Sequence, residues 1–508
     1  MRIGIGRAAA AIALACVGVL VSACAPAPGG GVRGLDAALT AKIDAIVAEH
    51  LAGGLFPGAE VAIVDPDRGT YVHAYGLADT VTKRAADVSD HFRIGSITKT
   101  FTATAVLRLA DSRRIKLTDT LEQYVPGVPN GTTITLADLL GMRGGVYALD
   151  QDKDFLAQAL APTPATAWND GDTLRAITAH PELAKPPNQQ THYSNSEFYL
   201  LGLVLEKVTG KPVREVLDDT ARDFALTGTT YTADNTLPAP YLSSYSFDQN
   251  TLVDVTNRVP PSLYGAAGSM VSTISDLALY GPQLGMGSLL TPETFRARTT
   301  FTPLDGGAVG YGLGMMRAGQ WLGHTGATLG FTSQLGYLPD KRVTVVVAVN
   351  QYGPATRQLL PIDATALWLD LVDALYPGTS GTPASDPAVK FPAVPSTADI
   401  DARLVNSLQS APASETALRI AGDSKGDIMR AWAAANATDP TRYQIQGVHV
   451  LRPDLLIANG TLTDGSVTSP FEMPLIPADG EWRVMPTWIC QFLLGAERPA
   501  ACDSPAGQ

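Results

Sequence analysis

Charge and cysteine are what this sequence has least of. Charged residues make up 17% of its 508 positions against 45% hydrophobic ones, so most of the chain is expected to fold into packed cores rather than stay disordered. The charge present leans acidic: 37 Lys and Arg stand against 49 Asp and Glu, a formal net charge of -12. Without a basic excess there is no electrostatic footprint for a nucleic-acid partner. The four cysteines have no His or carboxylate cluster beside them at ligand spacing, so no metal is expected and no cofactor is called for. Long hydrophobic runs are missing too, apart from Ala8 to Leu20, which is too short to cross a bilayer comfortably. No internal repeat is present. The length exceeds one ordinary domain and suits two or three.

What is there begins with that apolar run. Arg2 and Arg7 flank its start, and the whole reads as a secretory signal. It ends in Val21-Ser22-Ala23-Cys24, which resembles the lipobox of bacterial lipoproteins. The resemblance implies removal of residues 1–23, lipidation of Cys24, and an exported chain anchored to the outer face of the cell membrane. A simple signal cleaved near the same small residues, or an uncleaved anchor, are the other readings. Residues 24–34, rich in Pro and Gly, are expected to act as a flexible tether. Cys16 leaves with the signal, so Cys490 and Cys502 remain, close enough in sequence to close a short disulfide loop in an oxidising compartment.

Leu35, Leu39, Ile43, Ile46 and Val47 share one helical face, so a helix opens the fold. Two strand-like runs, Glu60 to Val64 and Tyr71 to Tyr75, flank Asp65-Pro66-Asp67-Arg68-Gly69, which carries hairpin chemistry. Strand patterns return at Phe331 to Leu338 and Arg342 to Val349, before a helical pattern around Leu360 to Tyr376. These ends predict an α+β domain over residues 35–378: one antiparallel sheet flanked by helices, with an inserted helical lobe over roughly Leu107 to Leu290. A cleft between lobe and sheet is the natural place for a site. Residues 379–397 belong to a Pro-, Gly-, Ser- and Thr-rich linker beginning near Pro377. Beyond it, two helical patterns and four strand-like runs predict a small α+β domain over 398–495, then a tail over 496–508.

The chemistry centres on RIGSITKTFTATAVLRLA, Arg93 to Ala110. Alone, Ser96 fits a capping serine at a helix start, with Lys99 on a solvated face. If the helix begins at the serine, however, Lys99 lies one turn behind it and can reach its hydroxyl. A helix N-terminus also supplies free N–H groups and positive potential where an oxyanion would form. A serine needs a base, and a desolvated lysine can serve. Tyr193-Ser194-Asn195 and His324-Thr325-Gly326 follow in order. Ser-x-x-Lys, Tyr-x-Asn and (Lys or His)-Thr-Gly form the motif set of the penicillin-recognising serine hydrolases. The chain resembles the branch that holds class C β-lactamases, D-alanyl-D-alanine carboxypeptidases, esterases and D-aminopeptidases. Tyr199-Leu-Leu-Gly202, Gly265 to Thr273 and Tyr311-Gly-Leu-Gly314 extend the likeness over about Leu35 to Tyr376.

The resemblance implies a β-lactamase/transpeptidase-like fold and a role for each residue. Ser96 would attack an acyl carbon, Lys99 and Tyr193 would share the proton, and Asn195 would orient Lys99 and the substrate amide. The amides of Ser96 and Ala327 would hold the oxyanion, with Gly326 in the strand beside them. His324 and Thr325 would meet a substrate carboxylate or leaving group. Two departures matter. His324 replaces a lysine and is largely neutral at pH 7, so it would anchor a carboxylate less strongly. Leu140 to Gly145 replaces a His-Thr-Ser-Gly segment and changes a cleft wall.

Gly422-Asp-Ser-Lys-Gly426 matches a nucleophile elbow but lacks the large sheet that one needs, and reads as a turn into a helix. The C-terminal segment resembles the small secreted-antigen domains of actinobacterial lipoproteins, through Leu404 to Leu408, Pro474 to Met485 and Thr487 to Cys490. That implies an NTF2-like shape, with Trp482 and Trp488 in its core. The leading expectation is a lipid-anchored serine hydrolase acting on a peptide of D-alanyl type or on an ester, with small-molecule or peptidoglycan-like acyl substrates. A working β-lactamase and a non-catalytic envelope-binding lipoprotein are the alternatives.

Overall fold

The computed structural model describes residues 33–52, 56–149, 170–232, 234–248, 251–258, 264–352, 364–381, 392–409, 417–423, 425–438, 440–452, 455–464, 467–485 and 489. Val343 to Val349 is apolar at nearly every position because both of its faces are covered. Val345, Val347 and Val349 point into one core and Val346 and Ala348 into another, the period-2 alternation of a strand. Around this strand, β14, runs an antiparallel sheet of nine. Its other members are β1 (Gly58–Asp65), β2 (Gly69–Asp79), β3 (Arg84–Ala85), β9 (Thr302–Pro303), β10 (Gly310–Tyr311), β11 (Met316–Ala318), β12 (Trp321–Thr328) and β13 (Phe331–Leu338). The order β3-β2-β1-β14-β13-β12-β11-β10-β9 joins the two ends of the domain through the β1–β14 pair.

One face of the sheet is covered by α1 (Ala37–Ala52) and α9 (Ala364–Leu375), which pack Val47, Leu367 and Trp368 on it. The buried His50 ring bonds Asp370 at 2.8 Å and ties these two helices together. The other face carries α2 (Thr98–Asp111), α5 (Asn195–Thr209) and α7 (Ile274–Gly285). Between them lie α3 (Leu136–Leu140), α4 (Asp170–Thr178), α6 (Val213–Asp223) and α8 (Pro292–Arg298). The inserted lobe is less purely helical than expected. It holds a small sheet, β4-β8-β5, built from His91–Arg93, Met270–Thr273 and Thr230–Tyr231, and a hairpin, β6 (Tyr245–Asp248) with β7 (Thr251–Asp254). These short strands carry too little periodicity to show in the sequence.

Two helices, α10 (Thr397–Gln409) and α11 (Asp427–Thr438), precede a four-stranded antiparallel meander. The strands are β15 (Thr441–Arg452), β16 (Leu455–Asp464), β17 (Val467–Ala478) and β18 (Glu481–Val484). Leu404, Trp432, Phe471, Leu475 and Val484 form a core distinct from the two that flank the large sheet. Trp482 lies in it; Trp488 lies outside the described residues. The Gly422–Gly426 turn does start a helix. Asp423 accepts the N–H groups of Asp427, Ile428 and Met429 at 2.8, 3.1 and 3.1 Å, as a capping carboxylate does. Ser424 itself lies outside the described residues. One boundary moves: Thr379 and Ser380, expected in the linker, are buried. Thr379 Oγ1 accepts the Trp321 indole N–H at 2.9 Å and its carbonyl accepts the Gln320 amide, so these residues pack against the large sheet.

Candidate active site

Strand β4 leads into a single 3-10 turn, Gly95–Ile97, which carries Ser96 and passes directly into α2. The cap positions of turn and helix are Ile94 and Ile97, and neither start uses a side-chain cap. Ser96 is therefore not serving as a helix cap. Helix α2 is buried continuously from Thr98 to Leu107. Its threonines tolerate this because Thr100, Thr102 and Thr104 donate to the carbonyls of Ile97, Ala266 and Thr100 at 2.7 Å each.

Lys99 is fully buried. Its Nζ bonds Ser96 Oγ at 2.9 Å, Asn195 Oδ1 at 2.5 Å and the Ala267 carbonyl at 2.8 Å. None of these three acceptors is a carboxylate. Lys99 Nζ also lies 5.0 Å from the Tyr193 ring centroid and 5.7 Å from that of Phe198. Asn195 is the first residue of α5, whose cap is Ser194, so the Asn195 side chain is engaged with Lys99 rather than with its own helix.

The fourth side of the site is β12. Strand β11 pairs only with Trp321 to Gly323, which leaves His324 to Thr328 bonded to β13 alone and turns their other edge to the Ser96 turn. Glycine makes that approach possible. Gly95 sits at φ +50°, and a Cβ on it would stand 2.6 Å from the Ala327 nitrogen; a Cβ on Gly326 would stand 2.1 Å from the Ile94 carbonyl oxygen. Both distances exclude a side chain. The backbone that carries the Ser96 amide is thus pressed against the Ala327 amide, beside the exposed Ala327 and half-buried Thr325.

His324 is set differently from the expected contact with a substrate carboxylate. Its ring points inward and is 1% exposed. Nδ1–H donates to the Thr325 carbonyl at 2.6 Å, which leaves Nε2 to accept from the Tyr311 hydroxyl at 3.2 Å. Burial first, and the Lys99 charge second, push its pKa down to about 3, so it is neutral at physiological pH. The Tyr193, Tyr311 and His324 rings lie 5.8–6.2 Å apart, centroid to centroid. Burial holds the Tyr311 phenol well above its ordinary range, with Tyr193 and Glu197 adding to the effect.

Glu197, on α5, is buried too, and burial raises its carboxyl well above the usual range against backbone N–H bonds from Gly144, Gly145 and Val146. It thereby holds the wall segment Leu140–Gly145, with the Gly145 amide donating at 3.1 Å. Arg298 is 1% exposed and ties α2 to Gly314, donating to Thr104 Oγ1, the Thr100 carbonyl and the Gly314 carbonyl. Neither Glu197 nor Arg298 belongs to a short motif, and no local signal in the sequence marks them.

Ser96, Lys99, Tyr193 and Asn195 thus meet in one cluster, and Thr325, Gly326 and Ala327 pass along its edge. Cys24, Cys490 and Cys502 lie outside the described residues. Among the described residues no cluster of His, Cys, Asp or Glu could hold a metal, and no helix is long and apolar enough to cross a membrane.

Comparison with known proteins agrees with this geometry. The sequence profile described as Beta-lactamase matches residues 43–367. Protein flp of Staphylococcus aureus (strain MW2) is 31% identical over 183 residues, 35% of this chain and 35% of its own length. The D-alanyl-D-alanine-carboxypeptidase/endopeptidase AmpH of Escherichia coli (strain K12) is 28% identical over 181 residues, 34% of this chain and 45% of that protein. The chain thus spans about a third to under a half of the length of these curated relatives. Among solved structures, a D-stereospecific amidohydrolase from Streptomyces sp. is 31% identical with a TM-score of 0.55, covering 62% of this chain and 94% of that one. The chain belongs to the β-lactamase family of serine hydrolases.

Proposed function

We propose that the chain cleaves an amide or ester through an acyl-Ser96 intermediate, with D-alanyl-type peptides, D-amino-acid amides and simple esters as the substrate classes. The observation that carries this reading is the 2.9 Å bond between Ser96 Oγ and the fully buried Lys99 Nζ. With Lys99 in its neutral form, the Ser96 proton passes to the Lys99 and Tyr193 pair as Oγ bonds the carbonyl carbon. The carbonyl electron pair moves onto oxygen, which the Ser96 and Ala327 amides face. Collapse breaks the bond to the leaving nitrogen or oxygen, which takes up the proton. Water then repeats the sequence on the acyl-serine and releases the acid.

The relatives support this choice of substrates by name, as a D-stereospecific amidohydrolase and a D-alanyl-D-alanine carboxypeptidase. A neutral, inward His324 gives a substrate carboxylate no charge to meet, which weighs against efficient β-lactam turnover. On the same reading the Cys24 lipid anchor holds the enzyme at the outer face of the membrane, and the C-terminal helices and meander form an NTF2-like domain that meets envelope partners. A fluorophosphonate probe tests the nucleophile, with a fluorescent penicillin alongside. Mass spectrometry should find the adduct on Ser96, and Ser96→Ala should abolish it in a folded protein. An adduct on Ser424, or full turnover by Ser96→Ala, overturns the assignment.

A further inference from the structure

A small recess, enclosing room for little more than one water-sized group before it opens to solvent, lies between Arg93, Thr256, Tyr264, Gly268, Thr328 and the apolar Val255 and Leu329. It borders the nucleophile. Arg93 is three residues before Ser96, Thr328 directly follows Ala327, and Gly268 follows the Ala267 whose carbonyl accepts from Lys99. A Cβ on Gly268 would lie 3.7 Å from the Gly95 carbonyl carbon, so the recess and the Ser96 turn share a wall.

Two features of its lining are incomplete without a ligand. Arg93 is only 7% exposed, and its guanidinium donates to Thr232 Oγ1 at 3.1 Å and to the Asn235 carbonyl at 2.9 Å. Both acceptors are neutral. Asp234 is near enough to act on Arg93 electrostatically, yet among the described residues no hydrogen bond joins them, and its carboxylate bonds Thr236 instead. Burial lowers the Arg93 pKa to about 10, so the group is charged at neutral pH. Thr328 is 5% exposed, and its Oγ1 has no hydrogen-bond partner among the described residues. A buried cation whose exposed counter-charge, Asp234, does not hydrogen-bond it, and a buried hydroxyl without a partner, each cost stability. A water would satisfy the hydroxyl and leave the guanidinium without a hydrogen-bonded carboxylate. A carboxylate answers both at once, since guanidinium groups bind carboxylates with strong, charge-assisted hydrogen bonds. Thr256 adds a second hydroxyl; it accepts the Ser244 amide at 2.8 Å and keeps its own proton to donate.

We propose that the Arg93–Thr328 recess is a carboxylate subsite, so that this hydrolase selects substrates carrying a carboxylate a few bonds from the carbonyl it attacks. The proposal rests on Ser96 as nucleophile. It also gives a substrate carboxylate a charged partner, which the neutral His324 does not.

The test is a matched pair of chromogenic esters, 4-nitrophenyl hemiglutarate and 4-nitrophenyl valerate, alike in length and differing by the carboxylate. Wild type should favour the hemiglutarate by about tenfold or more in kcat/KM, chiefly through KM. Arg93→Met should lower that ratio by about tenfold. Because Arg93 also ties β4 to the 232–235 segment, the near-isosteric Thr328→Val is the second variant, with the ratio lowered about threefold. A wild-type ratio near one, or a ratio unchanged in both variants, overturns the subsite. If neither ester is cleaved, the acyl-Ser96 reading is what has failed, and glutarate binding to the full chain carrying Ser96→Ala decides the recess. Saturable binding that Arg93→Met removes sustains it, and no binding ends it.

Discussion

A serine beside a buried lysine has one measurable property that a structural serine lacks. Because neither the turn nor α2 uses a side-chain cap, Ser96→Ala should shift unfolding free energy by no more than about 1 kcal/mol. Activity should vanish all the same. Nucleophile and base act as a unit, so Ser96→Ala with Lys99→Ala should be little slower than Ser96→Ala alone; additive losses in steady-state rate would separate the two roles. His324 offers a second test at this scale. Its pKa in the fold is about 3 against 6.5 for the free side chain, so between those values the unfolded chain takes up a proton that the folded one refuses. Stability is therefore complete above about pH 6.5 and falls as the pH drops toward 3. His324→Gln removes this term, and melting temperature against pH should flatten over that window. An unchanged slope would show that the ring does not resist protonation. The meeting of Ser96, Lys99, Tyr193 and Asn195 was legible in the sequence because each motif joins distinct chemical types at a short fixed spacing. The inward turn of His324 was not, since it depends on where β11 stops pairing with β12 and on which face of β12 meets Tyr311. Arg93 gave no signal beyond its place before the serine, because its partners come from residues 232 and 235.

Elements that build the sheet differ in how plainly the sequence announces them. Strands β13 and β14 are long and apolar and flank a Pro-Asp turn, so their hairpin was legible; β9, β10 and β11 have two or three residues each and no period to detect. Yet β11 shapes the site, because its pairing with β12 ends at Gly323 and leaves the rest of β12 open toward Ser96. The closeness of that approach can be tested at one atom. Gly326→Ala places a methyl 2.1 Å from the Ile94 carbonyl oxygen by geometry, so β12 must move away from the Ser96 turn. Overpacking of this kind costs about 1–3 kcal/mol in stability. The catalytic loss should be larger, about 100-fold in kcat, because displacing an oxyanion donor costs on that order. A variant that loses stability but keeps kcat would mean that the Ala327 amide is not part of the reacting centre.

At the scale of the whole molecule we propose a chain exported and moored at one end through Cys24 and divided toward the other. The mooring rests on Val21-Ser22-Ala23-Cys24. Radiolabelled fatty acid should enter the wild type and not Cys24→Ser, and equal incorporation into both would remove the anchor. The split rests on two kinds of observation. The core made by Leu404, Trp432, Phe471 and Val484 shares no residue with the cores on either face of the large sheet, which is what two separately folding units require. Composition between them is rich in Pro, Ser and Thr, as linkers are. The structure narrows the boundary that composition alone set at Pro377. Thr379 and Ser380 are buried, bonded to Trp321 and Asp373 respectively, while on the far side the Trp482 indole donates to the Pro392 carbonyl at 3.0 Å. Each end of the linker is therefore claimed by its neighbouring domain. Limited proteolysis should cut first within residues 382–391 and leave Thr379 and Ser380 on the larger fragment. That fragment should keep Ser96 labelling, and the smaller one should unfold on its own with a cooperative transition. First cleavage at residues 377–381, or a small fragment without a melting transition, would show that the two parts fold as one.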